Sequence, residues 1–180
     1  MRTRAALAVV SLLLALPPAL AAQGDIRLGL GGGVIVPVRA HADLVKTGWI
    51  GDASLTYFPA ASTSLGLRLD GLYGRANLRQ VTGRQEYVGG LANLVFQFGS
   101  RRTPNRFYLL GGGGYLRTRS TGPGFGESRE TSPAINAGAG FSLGGRGFAL
   151  YVEARYLSIY TSGSKPQFLP ISAGFTFGGF

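Results

Sequence analysis

The sequence predicts an all-β protein: an eight-stranded antiparallel up-and-down transmembrane β-barrel, preceded by a cleavable signal peptide. Three observations predict it. The chain opens on a basic and then apolar leader. Beyond the leader, apolar and polar residues alternate with a period of two. That alternation sets large apolar side chains on one face and charges among small residues on the other. Composition agrees, since glycine is 30 of 180 residues and charged residues are only 14%, against about 7% and roughly 25% in ordinary soluble domains.

The leader comes first. Arg2 and Arg4 form a positive start, residues 5–16 are apolar apart from Ser11, and Pro17 and Pro18 end any helix. Ala19, Leu20 and Ala21 fit the small-x-small cleavage pattern, which places the cut before Ala22 or Gln23. The apolar run is shorter than the roughly 20 residues of a spanning helix. Residues 1–21 are therefore expected as a signal peptide, and residues 25–180 as one outer membrane β-barrel domain. The chain has no cysteine, which excludes a lipid-anchored lipoprotein and any disulfide, so the fold must close by itself. Removing two leader arginines lowers the formal charge from +10 to +8. A basic balance raises nucleic acid as a partner, but an exported chain meets none, and anionic lipid is the expected one.

Eight period-two segments make up the remainder, at 25–36, 48–58, 62–75, 85–99, 106–116, 133–143, 148–160 and 168–177. Each is about ten residues, the length a tilted strand needs to cross a bilayer. The first is glycine-rich, and the second comes after a basic link. In the third, Leu65, Leu67, Leu69 and Tyr73 oppose Arg68 and Asp70. In the fourth, Val88, Ala92, Leu94, Phe96 and Phe98 oppose Asn93 and Gln97. The fifth is apolar on both faces, so its phase stays open. The sixth sets Ile135, Ala137, Ala139, Phe141 and Leu143 against Asn136 and Ser142. The seventh sets Phe148, Leu150, Val152, Ala154 and Tyr156 against Glu153 and Arg155. In the eighth, Leu169, Ile171, Ala173, Phe175 and Phe177 alternate. Large apolar side chains would crowd a small lumen, so that face is expected outward on lipid.

Links and aromatics carry the same polarity. The links after the second, fourth and sixth segments are short (59–61, 100–105, 144–147), and the others are longer, the longest being 117–132. Short periplasmic turns alternating with longer outer loops are the outer-membrane pattern, with both termini periplasmic. Tyr57, Phe58, Phe96, Phe98, Phe107, Phe148, Phe175 and Phe177 fall at the short-turn end. Trp49, Tyr73, Tyr115, Tyr156, Tyr160 and Phe168 fall at the other. Two aromatic girdles are expected of such a barrel.

Five stretches resemble the outer membrane protein β-barrel domain family, the OmpA/OmpX-like eight-stranded group. They are LGLGGG at 28–33, KTG at 46–48, YLLGGGG at 108–114, YVEARY at 151–156 and ISAGFTF at 171–177. The resemblance implies an integral outer membrane protein, here expected to be monomeric, handled by periplasmic chaperones and the barrel assembly machinery. It implies a C-terminal assembly signal carried by Phe175, Phe177 and Phe180. Phe180 is out of phase with the alternation, so either a bulge at Gly178 and Gly179 resets the register or Phe177 is the anchor.

Chemistry is sparse. An eight-stranded lumen is just wide enough for side chains to fill, and charges there must pair, so Arg68, Asp70, Glu153 and Arg155 are expected as a lumen network. Interleaved glycines (Gly66, Gly89, Gly138, Gly140) leave room for long side chains. Re-pairing of that network could gate a narrow path. Lipid A-modifying barrel enzymes resemble the chain in size, and one type uses a His, a Ser and an acid near the outer rim. The one histidine, His41, is followed by Ala42 and Asp43 with no such serine, and is expected as a solvated loop residue. No catalytic residues, metal ligands or cofactor emerge from the sequence, and the 111–114 glycine run lacks the helix a phosphate cradle needs. The outer loops are basic. Arg79, Arg84, Arg117, Arg119 and Lys165 are candidate contacts for phosphates of lipopolysaccharide-type glycolipid, beside Arg39, Lys46 and Arg129. Arg101, Arg102, Arg106 and Arg146 occupy the periplasmic turns and could meet inner-leaflet phosphates. The expected function is a non-enzymatic structural or interaction barrel with a plugged polar lumen. The alternatives are a narrow channel for small solutes or apolar molecules and, less favoured, a lipid A-modifying enzyme.

Overall fold

The computed structural model describes residues 24–59, 64–79, 82–99, 105–122, 126–144, 147–163 and 165–178; the leader, Arg101, Arg102, Arg146 and Phe180 lie outside them. The described residues form β1 (Gly24–Pro37), β2 (Gly48–Pro59), β3 (Leu65–Asn77), β4 (Arg84–Phe98), β5 (Asn105–Gly122), β6 (Gly126–Gly144), β7 (Gly147–Ile159) and β8 (Gln167–Gly178). Each strand pairs antiparallel with the one before it. β8 then pairs with β1, from Phe168 opposite Pro37 to Gly178 opposite Arg27, and the sheet is a closed barrel.

Strict alternation along the strands decides what faces where. Leu67, Leu69, Leu94 and Val152 are each more than half exposed, while Asp70, Asn93 and Glu153 between them are buried. The apolar face is therefore the outer surface. β5, whose phase the sequence left open, obeys the same rule: Phe107, Leu109 and Tyr115 point out, and Tyr108, Leu110 and Leu116 point in.

Three expectations are corrected. The 117–132 link is not a loop. β5 and β6 continue as a paired ribbon to Gly122 opposite Gly126, because its Arg, Thr, Ser and Glu side chains suit two wet faces and the strands need not stop where the apolar belt stops. The asymmetry of the barrel is thus carried by strand overhang more than by loop length. Phe58 and Phe168 leave the girdles. Both sit on the inward phase of their strands and are buried, at 4% and 0% exposure. Finally, the lumen is not polar throughout: apolar clusters lie on either side of its charged middle. Towards the overhang, Ile35, Ile50, Leu72, Leu91, Leu116, Leu157, Ile159 and Phe168 pack as an apolar core. Towards the turns, Phe58, Val95, Tyr108 and Leu110 form a second, smaller one. The polar members of each inward face were conspicuous in the sequence. Their apolar neighbours two residues along, such as Leu72 after Asp70 and Leu157 after Arg155, share that face and fill the barrel.

Candidate functional site

Four charged side chains meet at mid-height in the lumen. Arg68 and Asp70 project from β3, and Glu153 and Arg155 from β7 on the opposite wall. Arg68 Nη1 donates to Glu153 Oε2 at 2.7 Å, and Arg68 Nη2 lies 2.8 Å from Asp70 Oδ1. Arg155 Nη2 donates to that same Asp70 oxygen at 2.8 Å, and Arg155 Nε donates to Glu153 Oε1. Two cations and two anions alternate around a ring of zero net charge. Asn93 Nδ2 donates to Asp70 Oδ2 at 2.7 Å, and the Tyr108 hydroxyl donates to Glu153 Oε2 at 2.8 Å. All four carboxylate oxygens therefore accept, the condition under which buried charge is tolerated.

Glycines make these reaches possible. Neighbouring strands are about 4.8 Å apart, so a side chain that passes over one strand to the next spans roughly 10 Å and needs a flat floor. Tyr108 stands opposite Gly140, and Gly140 opposite Glu153; a Cβ on Gly140 would overlap the tyrosine ring. In the same way Asn136 Nδ2 crosses Gly112 to reach Asn93 Oδ1 at 2.7 Å. Tyr151 crosses two strands, over Gly174 and Gly31, and its hydroxyl donates to Asp52 Oδ2 on β2 at 2.7 Å. Tyr108, Tyr151, Asp52 and Arg27 were not singled out from the sequence. Their signal was a large or charged residue in register with glycine on the adjacent strand, and register is visible only once strands are paired.

The ring separates two small spaces. On the turn side lies a cavity of about 40 Å³, lined by hydroxyls of Ser54, Thr56, Tyr108 and Tyr151 and by Arg27, Arg68 and Gln97. It has room for about three waters at roughly 10–15 Å³ each. Arg27 is ion-paired with Asp25, donates to Gln97 Oε1 at 3.0 Å, and lies 4.8 Å from the centre of the Phe58 ring. On the overhang side the space is about 20 Å³, between Ile50, Leu72, Leu91 and Leu157. Above it the apolar core closes the lumen.

The link after β1 caps that end, and here the expectation of a solvated histidine is corrected. Arg39–Asp43 is a 3₁₀ turn that folds into the mouth. It sets the His41 ring edge-on to buried Phe168 at 4.8 Å, with Nε2 3.5 Å from the Tyr87 hydroxyl. Tyr87 itself meets Phe168 edge-on at 4.9 Å and donates to Gln85 Oε1 at 2.6 Å. Burial holds the His41 pKa below its ordinary value, with a hydrogen bond to Gln85 opposing. Backbone bonds staple the cap: Lys46 N–H to Asn77 O at 2.8 Å, Arg79 N–H to Leu44 O at 2.9 Å, and Val38 N–H to Gln167 O at 2.9 Å.

The five candidate phosphate contacts do not gather in one place. Arg84, Arg117 and Arg119 share the outward face of β4 and β5 beneath and along the ribbon. Arg79, exposed, lies against the cap and donates from Nε to Val45 O at 3.2 Å. Lys165, after β7, sits over the Tyr160 ring at 5.2 Å. Of the assembly-signal residues, Phe175 and Phe177 face outward against Phe148, with ring centres 5.6 and 5.5 Å away. Gly178 ends β8 at φ +110°. Among the described residues, no group of three or more His, Cys, Asp or Glu could hold a metal ion.

No protein-family model matches the chain, and no curated protein does. Solved structures do match. Neisserial surface protein A is 16% identical at a TM-score of 0.64, over 84% of this chain and 96% of that one. The N-terminal β-barrel domain of Pseudomonas aeruginosa OprF is 16% identical at 0.55, over 87% and 97%. Ail, the attachment invasion locus protein of Yersinia pestis, is 17% identical at 0.53, over 86% and 98%. The fold is that of the eight-stranded outer-membrane barrels, and the resemblance seen in the sequence holds at that level.

Proposed function

We propose that this chain is a non-enzymatic integral protein of the outer membrane, with both termini periplasmic. It has a closed lumen and acts structurally or through the surface it presents at its overhang end. One observation carries this reading. Among the described residues the lumen is interrupted at two levels, by the charge ring and by the apolar core under the His41 cap, with spaces of about 40 and 20 Å³ on either side of the ring. A conducting path needs a continuous wet lumen, and an eight-stranded barrel filled by side chains has none. The outward apolar belt, bounded by Trp49, Tyr73 and Tyr115 at one end and Phe96, Phe98 and Phe148 at the other, supports the membrane placement. The ribbon of β5 and β6 standing beyond the belt is the feature most available to a partner, and Ail, of like fold, is named for attachment and invasion.

Planar-bilayer recording tests the reading. The purified barrel should insert and give no conductance steps above background. Regular steps would instead establish the narrow channel. Altered lipid A mass spectra on expression would establish the enzyme.

A further inference from the structure

We propose that the outward face of β3 to β6, just beyond the apolar belt, is a seat for the phosphates of an outer-leaflet glycolipid. The inference rests on the membrane placement above and names a partner for that surface.

A single cross-strand row carries it. Arg75 on β3 stands opposite Glu86 on β4, Glu86 opposite Arg119 on β5, and Arg119 opposite Arg129 on β6. Opposed residues on neighbouring strands share a face, so these four side chains line up over about 14 Å. Arg117, one pleat nearer the belt, and Arg84, one pleat farther out, lie on the same face. That is five arginines against two carboxylates, Glu86 and Glu127. Arg119 and Arg129 are directly opposed, an arrangement that destabilises a sheet. One carboxylate, Glu127, answers both: Arg119 Nη2 donates to it at 2.7 Å, and Arg129 Nε bonds its other oxygen. Glu86 pairs with Arg84 at 3.4 Å and lies 3.9 Å from Arg119, while among the described residues Arg117 reaches only Thr131 Oγ1, at 3.4 Å. A row of like charges that is under-compensated from within is completed by anions from outside, and the guanidinium fork matches phosphate oxygens.

Height chooses the anion. Tyr73 lies two residues below Arg75 and Tyr115 two below Arg117, both outward and exposed, so the arginines begin about 7 Å above the aromatic girdle. That is where lipid headgroups lie, and the seat is on the side wall facing them. The opposite flank offers Tyr156, Tyr160 and Lys165 instead.

The test uses the folded barrel in neutral detergent micelles, titrated with bisphosphorylated lipid A and with its dephosphorylated form. The sole tryptophan, Trp49, is the register partner of Arg75 and reports by fluorescence. The expected result is a saturable shift with the phosphorylated lipid only. Removing charge-assisted bonds by Arg119→Gln with Arg129→Gln should weaken it by about tenfold or more, while Lys165→Gln on the other flank leaves it unchanged. Equal response to the dephosphorylated lipid, or an unchanged affinity in the double variant, overturns the seat. Full competition by inorganic phosphate or a sulfated polysaccharide overturns its assignment to lipid. Failure of the membrane reading shows separately, as a protein that does not fold into micelles at all.

Discussion

Glu153 holds an arginine on each of its oxygens, and Tyr108 besides. Truncating it leaves Arg68 and Arg155, both buried, with one shared carboxylate between them. Glu153→Ala should therefore destabilise the barrel by about 3–5 kcal/mol. Tyr108→Phe, which removes one hydrogen bond and keeps the ring over Gly140, should cost about 1 kcal/mol. Urea unfolding midpoints in lipid vesicles measure both, and two unshifted midpoints would remove the ring from the account of stability. The four charges were legible in the sequence because each pair lies on one strand at i and i+2, where parity alone puts both inside. Asn93 was legible as inward in the same way, but the links to the neutral partners were not. Tyr108 sits in a run apolar on both faces, and that Asn93 links Asp70 to Asn136 depends on three separate registers. His41 was misplaced for a related reason: nothing local marks a loop residue as the one that Phe168, 127 positions away, will cover.

Strands carry their own phase, and so β4 and β7 offer the direct test of which surface meets lipid. Leu94 and Val152 project from mid-strand on the exposed side. An arginine at such a position costs about 2–4 kcal/mol at the bilayer midplane, so Leu94→Arg and Val152→Arg should each lower stability by that order. Spin labels stepped along β4 should be reached by a lipid-soluble quencher at even positions and shielded at odd ones. Inverted phase would mean that the barrel has been taken inside out. The cap after β1 responds to pH instead. Its docked state lowers the His41 pKa below 6.5, so the undocked state binds the proton more tightly. Docking is at full strength above that value and weakens as pH falls through the lowered one. The ring faces Tyr87 and Gln85 on β4 and Phe168 on β8, with Arg39 and Asp43 on its own turn, so among the described residues no carboxylate from a neighbouring strand offsets the new charge. Exchange of the Lys46 amide, bonded to Asn77 in the docked cap, should quicken from about pH 7.5 to about pH 5 beyond its intrinsic trend, and His41→Phe should abolish the excess. Strand existence was legible from alternation alone. The true lengths of β5 and β6 were not, because a ribbon wet on both faces has no apolar period to betray it.

At the scale of the whole molecule, every pairing but one joins strands adjacent in sequence; the exception is the seam of β1 with β8. That closure removes the last free edge, and it is also the pairing with the greatest loop-closure cost. On its lumen side the centre of the seam is built from small residues: Gly29 faces Thr176, and Gly33 faces Ser172. Gly31 pairs with Gly174, and the Tyr151 ring lies over both on its way to Asp52, so one side chain of β7 reaches across the closure to β2. A Cβ at Gly174 would overlap the Leu30 carbonyl and the Gly31 backbone, and neither can move without parting the strands. Gly174→Val should therefore cost more than the about 1–3 kcal/mol of ordinary overpacking, because it opens an edge as well as straining a contact. Gly163→Ser is the control, since a Cβ there meets nothing within 4 Å. Closed barrels resist detergent until heated, so the native chain and Gly163→Ser should each run faster on a gel unheated than boiled. Gly174→Val should lose the fast band or convert at a lower temperature. Retention of that band at the native temperature would show that the barrel closes without the glycine floor, and that Tyr151 finds Asp52 by another route.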